Sequence, residues 1–278
     1  MSDVNPNTEW RLIRIGRGSF ATVSILSGRP VAFKHVLLRE RSNELKTEFE
    51  VLCSLYYDFC DADSFFGVPQ PLAFYDPHKS TSFLSAGGSP TPKSRRRPLV
   101  SEGDFKLLEL DTAAYAMDHV LPLPLSTAKT IRTLLYPPNV SKALDPTLCR
   151  LYFGKVIKEL GPDGRPNRFF NSANFPLDVS RYRKLLEVTV EGDCVYSSVE
   201  EIAFGMGEML VRLHWLAGYD GRDVEFVMGG ASFSGVAMYM IDFNQVSHSS
   251  CCSFVRTVKI CSLDAYVEKK SERDSATR

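Results

Sequence analysis

The sequence lacks a charge surplus of either sign. Its 278 residues carry 33 Lys and Arg against 33 Asp and Glu, with a pI near 7.0. A broad nucleic-acid or anionic-membrane surface needs a basic excess, so nucleic acid is not the expected partner. No apolar run approaches the ~20 residues that cross a bilayer, and no membrane partner is expected. The polar start, Met1-Ser2-Asp3-Val4-Asn5-Pro6-Asn7, lacks an apolar signal region. The expectation is an intracellular chain, cytoplasmic or nuclear. Paired cysteines are missing too. None of the seven cysteines forms a CxxC pair, and no paired histidines follow at finger spacing. Cys251-Cys252 with His248 is the nearest cluster, and adjacent cysteines chelate poorly. Reduced thiols are expected, with no zinc and no disulfide framework. No Gly-x-Ser-x-Gly elbow supports a serine nucleophile. Gly161-Pro162-Asp163-Gly164 lacks the acidic ligands of a calcium loop.

What is present suits a folded α+β chain. Hydrophobic residues make up 44% and charged residues 24%, ordinary values for a globular domain. Short alternating runs at Trp10–Ile15, Ser24–Leu26 and Val31–Val36, parted by Gly16–Val23 and by Ser27-Gly28-Arg29-Pro30, predict an antiparallel meander. Leu45, Phe49, Leu52 and Leu55 recur at helical spacing and predict a helix over 42–57. A strand over 68–74 follows. Residues 77–104, rich in Ser, Gly and Pro with Arg95-Arg96-Arg97, predict a flexible loop with a solvated basic run. Farther on, Ser197-Ser198 before Glu200-Glu201 predicts a capped helix that stops near Gly218. Strands are expected at 224–228 and 236–241, separated by a turn at Gly229-Gly230-Ala231-Ser232. His214, beside Trp215, reads as a satisfied core histidine rather than a general base.

Four features then occur in one order. Gly16-x-Gly18-x-x-Ala21-x-Val23 lies between two strands, and Val31-Ala32-Phe33-Lys34 follows. An acidic residue sits on the next helix. Arg222-Asp223 comes after the long helix, with Asp242-Phe243-Asn244 after a strand hairpin. The order resembles the protein-kinase-like fold: an antiparallel N-lobe over 8–120, here joined to a reduced, mainly helical C-lobe over 121–262 and a frayed tail over 263–278. The resemblance implies that Gly16 and Gly18 let backbone N–H groups approach phosphates and that Val23 covers adenine. Lys34 would hold the α/β-phosphates and pair with Glu48, or with Glu44 one turn earlier. Asp118 and Val120, in Met117-Asp118-His119-Val120, would read the adenine edge from a hinge. Asp223 would be the catalytic base and Asp242 the Mg²⁺ ligand, so ATP and Mg²⁺ are the implied cofactors.

Departures from that pattern weaken catalysis. Ala21 replaces the third glycine, Gly221 the catalytic-loop histidine and Asn244 the glycine of the metal-binding triplet. Met228 stands where an Asn should coordinate metal, and a thioether is a poor ligand for Mg²⁺. Only residues 245–278 follow the triplet in this sequence.

A second resemblance is carried by residues 117–125, by Arg150-Leu151-Tyr152-Phe153-Gly154, Arg168-Phe169-Phe170 and Asn174-Phe175-Pro176-Leu177, and by 213–229 with Ile241–Gln245. These resemble the fungal family designated domain of unknown function 3669, whose members are often labelled zinc finger protein. It covers roughly residues 10 to 246 and is strongest from 199 to 246. After Gln245 the chain departs from the family. The expected function is a pseudokinase-like protein that acts by binding a protein partner or a nucleotide, without efficient phosphotransfer. An active phosphotransferase using Asp223 and Asp242 is the first alternative. A DNA-associated regulator, implied only by the family label, is the second.

Overall fold

A computed structural model describes residues 11–59, 64–86, 100–136, 144–158, 173–189, 196–231, 235–243 and 247–248. Its first half is built on one antiparallel sheet. β1 (Leu12–Arg17), β2 (Ala21–Leu26) and β3 (Val31–Val36) form the expected meander, and β-bonding continues to β6 (Ala114–Asp118), β4 (Pro71–Tyr75) and β5 (Phe83–Ser85). Gly28 takes φ +81° in the β2–β3 turn, a conformation glycine adopts without a Cβ penalty.

The middle of the sheet is buried on both sides, which explains why β3 and β4 read as nearly continuous apolar runs, whereas the edge strand β1 is exposed. One face is covered by α1 (Ser42–Ser54) through Leu45, Phe49 and Leu52. Phe49 rests 5.8 Å from Phe74 and 5.7 Å from Tyr115, ring centre to ring centre. The other face is covered by α2 (Glu102–Lys106), whose Phe105 meets Phe33 edge-on at 5.4 Å and stacks on Tyr75 at 5.3 Å. β5 lies inside the stretch expected to be a loop from 77 to 104, and α2 begins within it. Both ends of that stretch are thus tied to the sheet, because Phe83 and Phe105 join the core of this face. The basic run Arg95–Arg97 lies outside the described residues.

The second half holds α3 (Leu125–Leu135), α4 (Val179–Thr189) and α5 (Val199–Val211), the last extended by a π-helical turn over Arg212–Leu216. It also holds a mixed sheet in the order β11 (Val236–Ile241), β10 (Glu225–Gly230), β7 (Leu148–Leu151), β8 (Asn174–Leu177), where β7 and β8 run parallel. The sequence reading named β10 and β11 but not β7 and β8. Those are four-residue strands, too short for a period to declare itself. The capping box at Ser198 and Glu201 is formed, and Gly218 ends the helical segment at φ +79°.

Gly229 and Gly230 correct the sequence reading. They are the last residues of β10, not a turn. A Cβ on Gly230 would sit 2.2 Å from the Pro122 carbonyl oxygen, and one on Gly229 would sit 2.9 Å from that of Leu121. The glycines are there because the segment after β6 crosses the strand backbone to backbone. The Gly230 N–H donates to the Leu121 carbonyl at 2.8 Å.

The two halves share one hydrophobic core. It runs from Phe20 and Phe49 through Phe66 and Ile202 to Met240 and Phe243. Gly67 stitches them further: its N–H donates to Met238 and its carbonyl accepts from Met240, both at 2.9 Å. No helix among the described residues is long and apolar enough to cross a membrane.

Candidate functional site

Strand register creates the site. Gly16, Val23, Lys34, Tyr115, Phe74 and Leu84 are successive cross-strand partners through β1, β2, β3, β6, β4 and β5. Directly opposed residues share a face, so this row looks toward α1. On α1, Glu48 falls three residues after Leu45 and one before Phe49, on the buried stripe. An acid placed there points into the sheet, where Lys34 meets it.

The Lys34 ammonium donates to Glu48 Oε1 at 2.6 Å and to Asp242 Oδ1 at 2.9 Å. The Lys34 and Glu48 side chains are 9% and 0% exposed, whereas Asp242 keeps 33% of its surface in solvent. Glu48 Oε1 also accepts from the Tyr115 hydroxyl and from the backbone N–H of Phe243, each at 3.2 Å. One carboxylate oxygen thus gathers donors from β3, β6 and the residue after Asp242. Its other oxygen, Oε2, is buried with no hydrogen-bond partner among the described residues. Asp242 itself has φ +64°, in the left-handed region that Asp enters more readily than bulky residues. Lys34 holds the Asp242 carboxylate and Glu48 holds the N–H of the next residue, Phe243, so partners on two other elements fix the strained turn.

Electrostatics follow from burial. Burial alone pulls the Lys34 ammonium down, but the Glu48 and Asp242 carboxylates outweigh it, and its pKa is raised above the ordinary value. Glu48 is raised as well, because desolvation exceeds the stabilisation from Lys34 and Asp242 adds like-charge repulsion. The Tyr115 phenol is pushed well up by burial and by Glu48, so it acts as a hydrogen donor. A further acid, Glu225 at the start of β10, feels both Asp242 and Lys34. Burial raises it and Arg150, its ion-pair partner, opposes that rise. Asn174 Nδ2 donates to its second oxygen at 3.5 Å. Three carboxylates therefore face two cations, leaving surplus negative charge beside Asp242, the carboxylate of the Lys34 cluster that reaches solvent.

The remaining sequence candidates fall around this cluster. Gly16 pairs with Val23, and the Gly18 N–H closes the hairpin onto the Ala21 carbonyl at 2.9 Å. From that hairpin Phe20 folds inward. Its ring lies 5.8 Å from the Lys34 ammonium and 4.3 Å from the Arg41 guanidinium. Asp118 ends β6 and its N–H donates to the Gln70 carbonyl at 2.9 Å; Val120 follows, half-buried. Asp223 is exposed in the turn between β9 (Tyr219–Asp220) and β10, and no contact with Lys34, Glu48 or Asp242 joins it to the cluster among the described residues. Glu44 is outside the site, since it pairs with Arg41 at 2.6 Å on the exposed side of α1. Met228 is fully buried in β10. Asn244 lies outside the described residues, as do Cys60, Cys194, Cys251, Cys252 and Cys261. His214 is half-buried, with Nδ1 2.8 Å from the Tyr219 carbonyl.

The chain matches no family model, no curated protein and no solved structure. Among the described residues, no group of three or more His, Cys, Asp or Glu is arranged to hold a metal ion. Sequence reasoning missed Tyr115, Phe20, Glu225, Arg150 and the Phe243 N–H. Tyr115 and Glu225 enter only through strand register, which no single-sequence pattern reports. Phe20 was visible in the glycine hairpin, but an aromatic there reads equally as turn or core.

Proposed function

We propose that this chain is a pseudokinase-like binding protein whose cleft takes a nucleotide with its divalent cation and transfers phosphate poorly. The observation that carries this reading is the convergence of Lys34, Glu48 and Asp242 from β3, α1 and the end of β11. In kinase-like proteins a strand lysine paired to a helix glutamate holds the α/β-phosphates, and an Asp after a strand hairpin holds Mg²⁺. The same roles fall here to Lys34, Glu48 and Asp242, with the Gly16–Val23 hairpin over the phosphates and Asp118 and Val120 at the adenine edge. One hard oxygen donor suits a hard cation: Asp242 keeps a third of its side chain in solvent, and Mg²⁺ there would offset the surplus negative charge. When bound, that ion would shield phosphate charge. Lys34 would orient the phosphates, Glu48 orients Lys34, and Tyr115 holds Glu48.

The weakness of transfer rests on the second metal position. Met228 is a thioether sealed in the core, and β10 begins two residues after Asp223, leaving no loop to supply an amide oxygen. Asp223 keeps an exposed carboxylate, which favours the alternative of an active phosphotransferase enough to test it directly.

The experiment is a thermal-shift titration of the full chain with ATP and Mg²⁺. A ligand at a hundred times its Kd stabilises the folded state by about 2.7 kcal/mol, so a saturable rise in midpoint is expected. Lys34→Met abolishes the rise. A flat midpoint at millimolar ATP refutes nucleotide binding. Transfer of γ-phosphate that disappears in Asp223→Asn would replace the pseudokinase reading with the active one.

A further inference from the structure

β1 is the long edge of the first sheet. One side of it is hydrogen-bonded to β2, and no strand among the described residues pairs with the other. The opposite edge, β5, has three residues, and so short an edge resists further pairing. β1 has six, which leaves about 20 Å of strand with unpaired N–H and C=O groups. Leu12, Ile13 and Ile15 stay 42%, 40% and 39% exposed along it. Arg14 and Arg17, with Arg11 just ahead of the strand, are exposed and form no ion pair among the described residues. No Asp or Glu occurs from Trp10 to Arg39, so this edge is basic in a chain whose net charge is zero. Arginines alone would serve to repel a stray strand, but three large apolar side chains left between them work against that purpose. Register sorts the side chains by face. Leu12, Arg14 and Arg17 oppose Leu26, Ser24 and Thr22 on the α2 side, and Ile13 opposes Ile25 on the other.

We infer that β1 takes an extended acidic segment of a partner protein as an added strand. Three observations select this occupant. The first is the edge itself: a row of alternating backbone donors and acceptors is matched by another extended polypeptide, which gains affinity from main-chain hydrogen bonds. The second is charge. Arg14 and Arg17 stand on one face without local acids, and opposite charges on adjacent strands attract. The third is the pattern of faces. A segment that alternates acidic and apolar residues sets its acids against Arg14 and Arg17 while its apolar side chains cover Ile13. A second copy of this chain fits less well. Pairing β1 with β1 brings arginines against arginines, with no acid on either strand to offset them. A nucleic acid would engage the arginines but leave the backbone edge unpaired and the apolar side chains uncovered. This inference stands independently of the nucleotide reading.

The test uses the full chain without nucleotide and a fluorescein-labelled peptide of four Glu-Val repeats, followed by fluorescence anisotropy. Saturable binding is expected, weaker at high salt because the charges are exposed. Arg14→Glu with Arg17→Glu is expected to weaken it about ten-fold or more, since two attractive cross-strand pairs become repulsive. Both arginines are exposed, and an unchanged far-UV circular dichroism spectrum shows that the fold is kept. A peptide N-methylated at alternate residues, tested on the unsubstituted chain, loses the N–H groups of one edge and is expected to bind about ten-fold more weakly or worse. No binding of the Glu-Val peptide at millimolar concentration overturns the inference. So does equal affinity for the methylated peptide, which would mean charge attraction without strand addition. A dimer in sedimentation that Ile13→Glu dissociates also overturns it, by assigning the edge to a second copy.

Discussion

Replacing Lys34 by Met removes one buried charge and leaves its partner. Glu48 is 0% exposed and retains only the Tyr115 hydroxyl and the Phe243 N–H as donors, both at 3.2 Å. Breaking a buried ion pair from one side costs about 3–5 kcal/mol, because a charge is stranded in low dielectric. For a chain of this size each kcal/mol moves the midpoint by roughly 2 °C, so the expected loss is about 6–10 °C at pH 7. The loss has a pH signature. Without Lys34 the Glu48 carboxyl rises further above its unfolded value near 4.3. The stranded charge therefore costs most above the folded pKa, and the deficit shrinks as pH falls toward about 4, where Glu48 is protonated in both states. On the alkaline side the parent loses the advantage of its own raised lysine as pH climbs through the folded pKa. The difference between parent and variant is thus a plateau that falls away at both ends. Adding Glu48→Leu removes the stranded acid, and the double variant is expected to recover to within about 1 kcal/mol of the parent. Urea titrations from pH 4 to 10 measure the plateau and its acid edge; the alkaline edge lies above pH 10.5 and is reached only by extending the series. A loss below about 1 kcal/mol with a pH profile parallel to the parent would refute the buried pair, since nothing would then have been stranded.

Two glycines on α5 should respond with opposite signs. A Cβ at Gly205 meets the Phe65 ring at 2.7 Å and should destabilise by roughly 1–3 kcal/mol, whereas Gly207 has nothing within 4 Å, so Gly207→Ala should stabilise by about 0.5–1 kcal/mol. Denaturation midpoints of the two variants check the pair, and equal signs would contradict the packing of Phe65 on α5. Ser198→Ala removes the hydroxyl that accepts from the Glu201 N–H at 3.1 Å and should cost about 0.5–2 kcal/mol by the same assay.

Much of the fold was legible along the chain because local signals agreed. Gly28, the helical spacing of Leu45, Phe49 and Leu52, the Ser198 cap, the Gly218 stop and the β11 run each act over a few residues, and each was read from neighbours in sequence. The four-residue strands β7 and β8 were not legible, nor was the placement of Gly229 and Gly230 inside β10. Their conformations answer to segments tens to a hundred residues away, such as Leu121 and Pro122. The site divides in the same way. Lys34, Glu48 and Asp242 were legible as an ordered set, and the structure brings all three together. Asp223 was equally legible in sequence yet stands apart in an exposed turn.

By itself the chain determined its periodicities: which stretches bury one face, where glycine permits a turn, and that an acid sits on the apolar side of α1. Those are properties of residues within a turn or two of one another. Only the tertiary structure decided that Tyr115 shares Lys34's acid, that Glu225 adds a third carboxylate and that Asp242 is held in a left-handed turn. The reason is the pleat. A shift of one residue in strand pairing would send Lys34 and Tyr115 to opposite faces, and register is set by the packing of the whole sheet rather than by either strand.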